Sequence, residues 1–154
     1  VDKFKKYKGK VDLVFTSPPY YAKEVYSDAE TQSAVKFGTY KEWKDGFLYT
    51  TLKTAYEWLK PDRYLLWNVS NVGFGTGKNG IRTDKGCIYP LEKDSIDILE
   101  SFGMKFIRKE KMILASMPGS NRIKEDGKPN ALNSCRINGK WVKFEPIFVF
   151  KKVA

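Results

Sequence analysis

Residues 17 to 21, Ser-Pro-Pro-Tyr-Tyr, put a hydroxyl, two ring-locked carbonyls and two phenols in direct succession. Proline has no backbone N–H and fixes φ at about −65°, so Pro18 and Pro19 cannot continue a sheet ladder and form a stiff extended peg. Pro19 also drives Pro18 away from the helical region. A peg of this kind holds the flanking hydroxyl, carbonyls and ring in fixed relation and loses little entropy on binding. That is what a site needs if it must aim acceptors at one small polar group. The plain alternative is a strand terminator, the commonest use of proline.

The preceding run, Val11-Asp12-Leu13-Val14-Phe15-Thr16, is rich in β-branched and aromatic residues and reads as a buried strand. Directly after such a strand, Ser17-Pro18-Pro19-Tyr20 resembles the catalytic motif of the amino-methyltransferases, in which Asp, Asn or Ser precedes Pro-Pro and then Tyr, Phe or Trp. All four positions match. The resemblance implies methyl transfer from S-adenosylmethionine to an exocyclic base nitrogen, a poor nucleophile whose lone pair is delocalised into the ring. In that chemistry the Ser17 side chain and the Pro18 carbonyl accept from the amine and localise its lone pair, and Pro18 and Pro19 keep the corner rigid. Tyr20 stacks on a base taken out of its helix, a platform worth about 1 to 3 kcal/mol per base. Tyr21 is expected to pack.

Composition sets the wider frame. The chain has 154 residues, 42% of them hydrophobic, which suffices for one core and one domain. No run approaches a membrane span and no signal-peptide pattern is present. Two distant cysteines, Cys87 and Cys135, and no histidine argue against a disulfide framework or a zinc site, and fit a reducing cytoplasm. The net charge of +10 points to a polyanionic partner, although basic composition also serves solubility.

The elements needed to position the motif can be read from spacing. Ser27-Asp28-Ala29-Glu30 and Thr39-Tyr40-Lys41-Glu42 both fit the capping box that starts a helix. From Tyr40, the apolar positions Trp43, Phe47, Leu48, Leu52, Ala55, Tyr56 and Leu59 predict an amphipathic helix lying on a sheet and stopped by Pro61. A strand over 63–69 follows, then a loop to about residue 89. A second helix opens at Pro90 and ends near Phe102, with Gly103 as its cap. Further strands are expected over 104–114 and 146–150, joined by a polar loop over 115–143. This grammar predicts an α/β fold of mostly parallel strands whose final strand inserts antiparallel. The order matches a partial Rossmann-like methyltransferase sheet, in which residues 144–150 close the catalytic half.

In such sheets ligands bind beyond the carboxyl ends of the strands. The 115–143 loop starts there and carries Arg122, Lys124, Lys128, Arg136 and Lys140 against Glu125 and Asp126. A connection that long is uncommon without a function, so these five cations are candidate contacts to nucleic acid, with a solvated hairpin loop as the alternative.

Two patterns are decoys. Gly73-Phe74-Gly75-Thr76-Gly77-Lys78 lacks the Gly at 72 and the Ser or Thr at 79 of a P-loop, and no helical period follows it. It is expected to be a lid or a DNA-side loop. Cys87 and Cys135 lack the preceding proline of the carbon-5 cytosine methylases, so attack by an amine without a covalent adduct is favoured.

The cofactor turn of the resembled family, Phe-x-Gly-x-Gly, has no counterpart in the chain. The cofactor half is therefore expected outside it, and upstream is preferred because residue 1 is Val rather than Met. Serine at the first motif position leans toward N4 of cytosine over N6 of adenine. The expectations are thus an S-adenosylmethionine-dependent DNA amino-methyltransferase without a metal or a membrane partner, the isolated chain being inactive. An RNA base methylase and a non-catalytic nucleic-acid-binding module stand as alternatives.

Overall fold

The computed structural model describes residues 2–21, 29–74, 81–83, 86–114, 127 and 133–154. Its centre is a mixed sheet. Strands β1 (Val11–Thr16), β2 (Leu59–Asn68) and β6 (Met104–Ile113) run parallel to one another, and β8 (Lys140–Lys152) enters antiparallel between β2 and β6. The order is β1-β2-β8-β6, with β7 (Ser134–Ile137) paired to the start of β8. The α/β class and the antiparallel last strand follow the sequence pattern.

Two helical segments cover one face. α1 (Ser33–Lys36) is a single turn. After it, Thr39 caps α2 (Tyr40–Trp43): Thr39 Oγ1 accepts from the Glu42 N–H at 3.2 Å, and the Thr39 N–H donates to Glu42 Oε2 at 3.0 Å. This is the capping box read from the sequence. The chain continues through a π-helical turn, Lys44–Leu48, into α3 (Tyr49–Trp58). Across α2, the π-helical turn and α3, Trp43, Leu48, Leu52 and Ala55 form one buried stripe, at positions the apolar spacing predicted. α4 (Leu91–Ser101) follows Pro90, and beyond its cap Phe102 comes Gly103, whose φ of 86° suits glycine. Leu91, Ser95 and Leu99 face inward from it. The core between helices and sheet is closed by Trp67, Leu65 and Phe150, all fully buried.

Several expectations are corrected. The first helix ends at Trp58 rather than at Pro61, and β2 already begins at Leu59. Between the pairs Val11↔Leu59 and Leu13↔Tyr64 the ladder shifts, and Pro61 sits in that irregularity beside Asp62 at φ 60°. A proline without an N–H is tolerated there because no ladder bond is required of it.

The region read as a loop up to residue 89 contains a small antiparallel sheet, β3 (Val72–Phe74), β4 (Ile81–Thr83) and β5 (Gly86–Tyr89), in the order β3-β5-β4. The polar 115–143 segment ends in a hairpin, because β7 turns through Asn138 (φ 48°) and Gly139 (φ 77°) into β8. Asn-Gly with two positive φ values is a strong hairpin signal. Consequently the last strand spans Lys140–Lys152 rather than 146–150. Of the capping box expected at 27–30, Ser27 and Asp28 fall outside the described residues while Ala29 and Glu30 are not helical, the next helical turn starting at Ser33; the glycine-rich residues 75–78 fall outside the described residues.

Candidate active site

The carboxyl ends of β1, β2 and β6 lie at one edge of the sheet, the edge where β8 begins. Thr16 pairs with Trp67, so Ser17 and Asn68 emerge side by side from neighbouring parallel strands. Ser17 is exposed. Pro18 is buried and Pro19 half-buried, so the diproline corner is anchored while the serine before it is exposed. Pro19 borders a cavity of about 400 Å³ whose other walls include Ser33, Lys36, Phe37 and Thr51.

Tyr20 and Tyr21 turn inward, at 6% and 8% exposure. The Tyr21 ring meets Tyr89 edge-on at 5.0 Å, Tyr40 at 5.4 Å and Trp43 at 5.7 Å. These contacts make Tyr21 the aromatic weld between the motif, α2 and β5, the packing role expected of it. Burial raises its phenol pKa. Tyr20 belongs to the same core cluster, so in this conformation its ring packs instead of presenting a face to solvent.

A polar group that the sequence reading did not single out flanks Ser17 at the end of β2. Asn68 is 2% exposed and its Nδ2 donates to the Pro146 carbonyl at 3.0 Å, tying β2 to β8. Asn71 and Glu92 grip each other twice: the Glu92 N–H donates to Asn71 Oδ1 at 3.0 Å, and the Asn71 N–H donates to Glu92 Oε1 at 3.3 Å. Lys109 of β6 closes on Glu92 Oε2 at 2.9 Å. Asn133 Nδ2 donates to Ser70 Oγ at 2.7 Å, and its carbonyl accepts from the Phe144 N–H at 3.3 Å. Asn133 thereby staples the end of the basic loop to the tip of β2. The signal was available as Asn68, Ser70 and Asn71 directly after an apolar strand, where ligands of parallel sheets bind.

Of the five candidate nucleic-acid contacts, Arg136 and Lys140 lie exposed on the β7–β8 hairpin, with the Arg136 guanidinium over the Trp141 ring at 5.3 Å. Arg122, Lys124 and Lys128 fall outside the described residues. Cys135 is a half-buried free thiol of β7. Among the described residues no group of His, Cys, Asp and Glu is placed to hold a metal ion, and no helix is long and apolar enough to cross a membrane.

A nucleoside cofactor needs a cradle of its own. Gly73 lies within β3, which pairs with β5, and Gly75 and Gly77 fall outside the described residues. Among the described residues no glycine-rich turn leads into a helix N-terminus, the usual cradle of a nucleoside cofactor.

Comparison with known proteins adds the family. No curated protein sequence matches the chain. Among solved structures, TTHA0409 from Thermus thermophilus, whose name assigns it to the DNA modification methylases, shares the fold in its complex with S-adenosyl-L-methionine. The TM-score is 0.56 at 18% identity, over 96% of this chain and 47% of that one. A second structure of TTHA0409 gives a TM-score of 0.54 at 20% identity, over 96% and 48%. The chain thus spans about half the length of the solved proteins it matches. The DNA methylase family of the N6/N4 type matches residues 11–153, nearly the whole chain, and the protein belongs to that family.

Proposed function

We propose that this chain is the catalytic half of an S-adenosylmethionine-dependent DNA amino-methyltransferase, with N4 of cytosine slightly ahead of N6 of adenine. The observation that carries the reading is the exposed Ser17 at the tip of β1, beside a buried Pro18, in a chain of the DNA methylase family.

The work of these residues is positional. Ser17 Oγ and the Pro18 carbonyl accept from the two N–H groups of the target amine, which draws the nitrogen toward sp³ and localises its lone pair. S-adenosylmethionine, when bound by residues beyond those described, supplies the methyl group. Tyr20 serves as the stacking platform once its ring leaves the core, beside the Pro19 cavity. Arg136 and Lys140, together with Arg122, Lys124 and Lys128 of the preceding loop, neutralise phosphates around the extruded base. The isolated chain is inactive on this reading, because the cofactor half is not part of it.

The test uses the protein as its gene encodes it, with radiolabelled S-adenosylmethionine, duplex DNA and competing structured RNA. Ser17→Ala should lower kcat about 100-fold, the scale for removing one aimed hydrogen-bonding group, while DNA affinity changes less than about threefold. Digestion and mass spectrometry of the product should show N4-methylcytosine. Full turnover by Ser17→Ala, or label entering RNA alone, would defeat the proposal.

A further inference from the structure

Phe4, Tyr7 and Trp58 form an aromatic cluster at the surface, apart from the main core. The Phe4 ring lies 5.7 Å and the Tyr7 ring 6.0 Å from that of Trp58, and Phe4 and Tyr7 stack on each other at 6.4 Å. Phe4 is 50% and Tyr7 41% exposed, with Trp58 half-buried beneath them. Lys5, Lys6, Lys8 and Lys10, interleaved with the rings along the chain, are all exposed, and the Lys6 ammonium stands 5.0 Å from the centre of the Tyr7 ring.

The cluster is anchored. A 3-10 turn, Asp2–Tyr7, carries the first two rings, and Gly9 at φ 64° turns the chain back onto the end of α3. There the Gly9 N–H donates to the Glu57 carbonyl at 2.9 Å and the Lys10 N–H to the Trp58 carbonyl at 3.0 Å. Of the neighbouring carboxylates, Glu57 is met by Lys8 at 3.5 Å, and Asp12 by Lys60 at 2.9 Å and Arg63 at 3.2 Å. The surplus charge of the patch is therefore positive. Lys10 precedes β1 and Ser17 follows it, so the strand puts about 20 Å between the patch and the catalytic corner, at opposite edges of the sheet.

Exposed rings flanked by cations suit unpaired nucleotides, since each base offers a face to stack and each phosphate a charge to neutralise. Duplex DNA keeps its bases stacked on one another and leaves such rings without a partner. We infer that this patch is a second nucleic-acid site, separate from the catalytic edge, which holds an unpaired DNA strand by stacking bases on Phe4 and Tyr7 and pairing phosphates with Lys5, Lys6 and Lys10. Charge complementarity selects a polyanion, the open rings select its unpaired form, and membership of the DNA methylase family selects DNA. The site goes beyond the proposed reaction, because filling it requires neither a target amine nor a methyl donor.

The experiment again uses the protein as encoded, titrated with fluorescein-labelled oligothymidylate and read by anisotropy. Phe4→Ala combined with Tyr7→Ala should weaken binding at least about tenfold, the scale of one or two lost stacking contacts. Lys5→Gln, Lys6→Gln and Lys10→Gln together should lower the slope of log affinity against log salt by about 2, at about 0.7 per phosphate contact on a single strand. The lysine variant leaves the ring packing in place, so it tests the site even where the aromatic variant is unstable. With saturating duplex, kcat for methyl transfer should stay within about twofold of wild type in both variants, and a fall in kcat matching the loss of affinity would make the patch part of the catalytic machinery and overturn the inference. No binding by the wild type, or unchanged affinity in the aromatic variant, would overturn it too. So would protection of Phe4 and Tyr7 from hydroxyl-radical oxidation in the free protein, which would place the protein's own chain over the patch. Equal loss of duplex and single-strand affinity would show a plain phosphate surface, and tighter binding of oligouridylate than of oligothymidylate would select RNA; either result removes the proposed occupant.

Discussion

The Tyr40 hydroxyl donates to Asp94 Oδ2 at 2.6 Å, joining the first turn of α2 to the first turn of α4. Lys44 Nζ stands 3.6 Å from the other oxygen of the same carboxylate. Because the Tyr40 ring also contacts Tyr21 and Tyr89, the residue links the helix pair to the motif loop. Burial and the Asp94 hydrogen bond raise the Tyr40 pKa well above its ordinary value. A raised phenol pKa contributes stability that is complete below about pH 10 and is lost as pH rises beyond it. Tyr40→Phe should lower stability by about 1 kcal/mol at pH 7. Thermal melts from pH 7 to 11 should show wild type losing more stability above pH 10 than Tyr40→Phe.

Ser95 joins helix and sheet inside the core. Its hydroxyl donates to the Leu91 carbonyl at 2.7 Å and accepts from Trp67 Nε1 at 3.0 Å, with both side chains fully buried. Ser95→Ala strands the indole N–H and should cost about 2 kcal/mol, read as a lower urea midpoint at unchanged slope.

Gly46 lies in the π-helical turn with the Phe37 ring pressed onto it, where a Cβ would overlap the ring edge. In an open helix Gly→Ala stabilises by about 1 kcal/mol. Here the sign should reverse, with Gly46→Ala destabilising by about 1 kcal/mol or more, since the ring has to move. Pairing it with Phe37→Leu should restore the ordinary gain. Both residues line the cavity beside Pro19, so a lower melting temperature with Phe37 in place also reports on the site wall.

Lys152 closes the far end of the same helix. Its ammonium donates to the carbonyls of Tyr56 and Leu59, each at 2.8 Å, and lies over the Tyr56 ring at 4.2 Å. A cation on the last carbonyls of a helix complements its dipole. Lys152→Met should cost about 1 to 2 kcal/mol in chemical denaturation, and Lys152→Arg should recover part of it.

Much of the local structure was legible in the residues themselves. Val11–Thr16 announces a strand by β-branched and aromatic content, Thr39 and Glu42 announce a helix start, and Pro90 and Gly103 bracket α4. Each signal acts within one turn or one strand, where sterics and a single hydrogen bond decide the outcome. The Ser-Pro-Pro-Tyr corner was readable for the same reason: proline geometry is local.

What needed the folded chain is non-local. Pro61 reads as a stop until the β1–β2 register places it in an irregular stretch that asks nothing of its missing N–H. Tyr20 could have faced solvent or core, and only the packing of the aromatic cluster turned it inward. Asn68 reaches Pro146 and Asn133 reaches Ser70 because β8 returns between β2 and β6, a pairing whose sequence separation no short window contains. The exposure of Leu13 and Phe15 on β1 escaped the sequence for a similar reason. Val-Asp-Leu-Val-Phe-Thr specifies a strand suited to burial on both faces, but whether neighbours arrive to cover it is a property of the whole sheet.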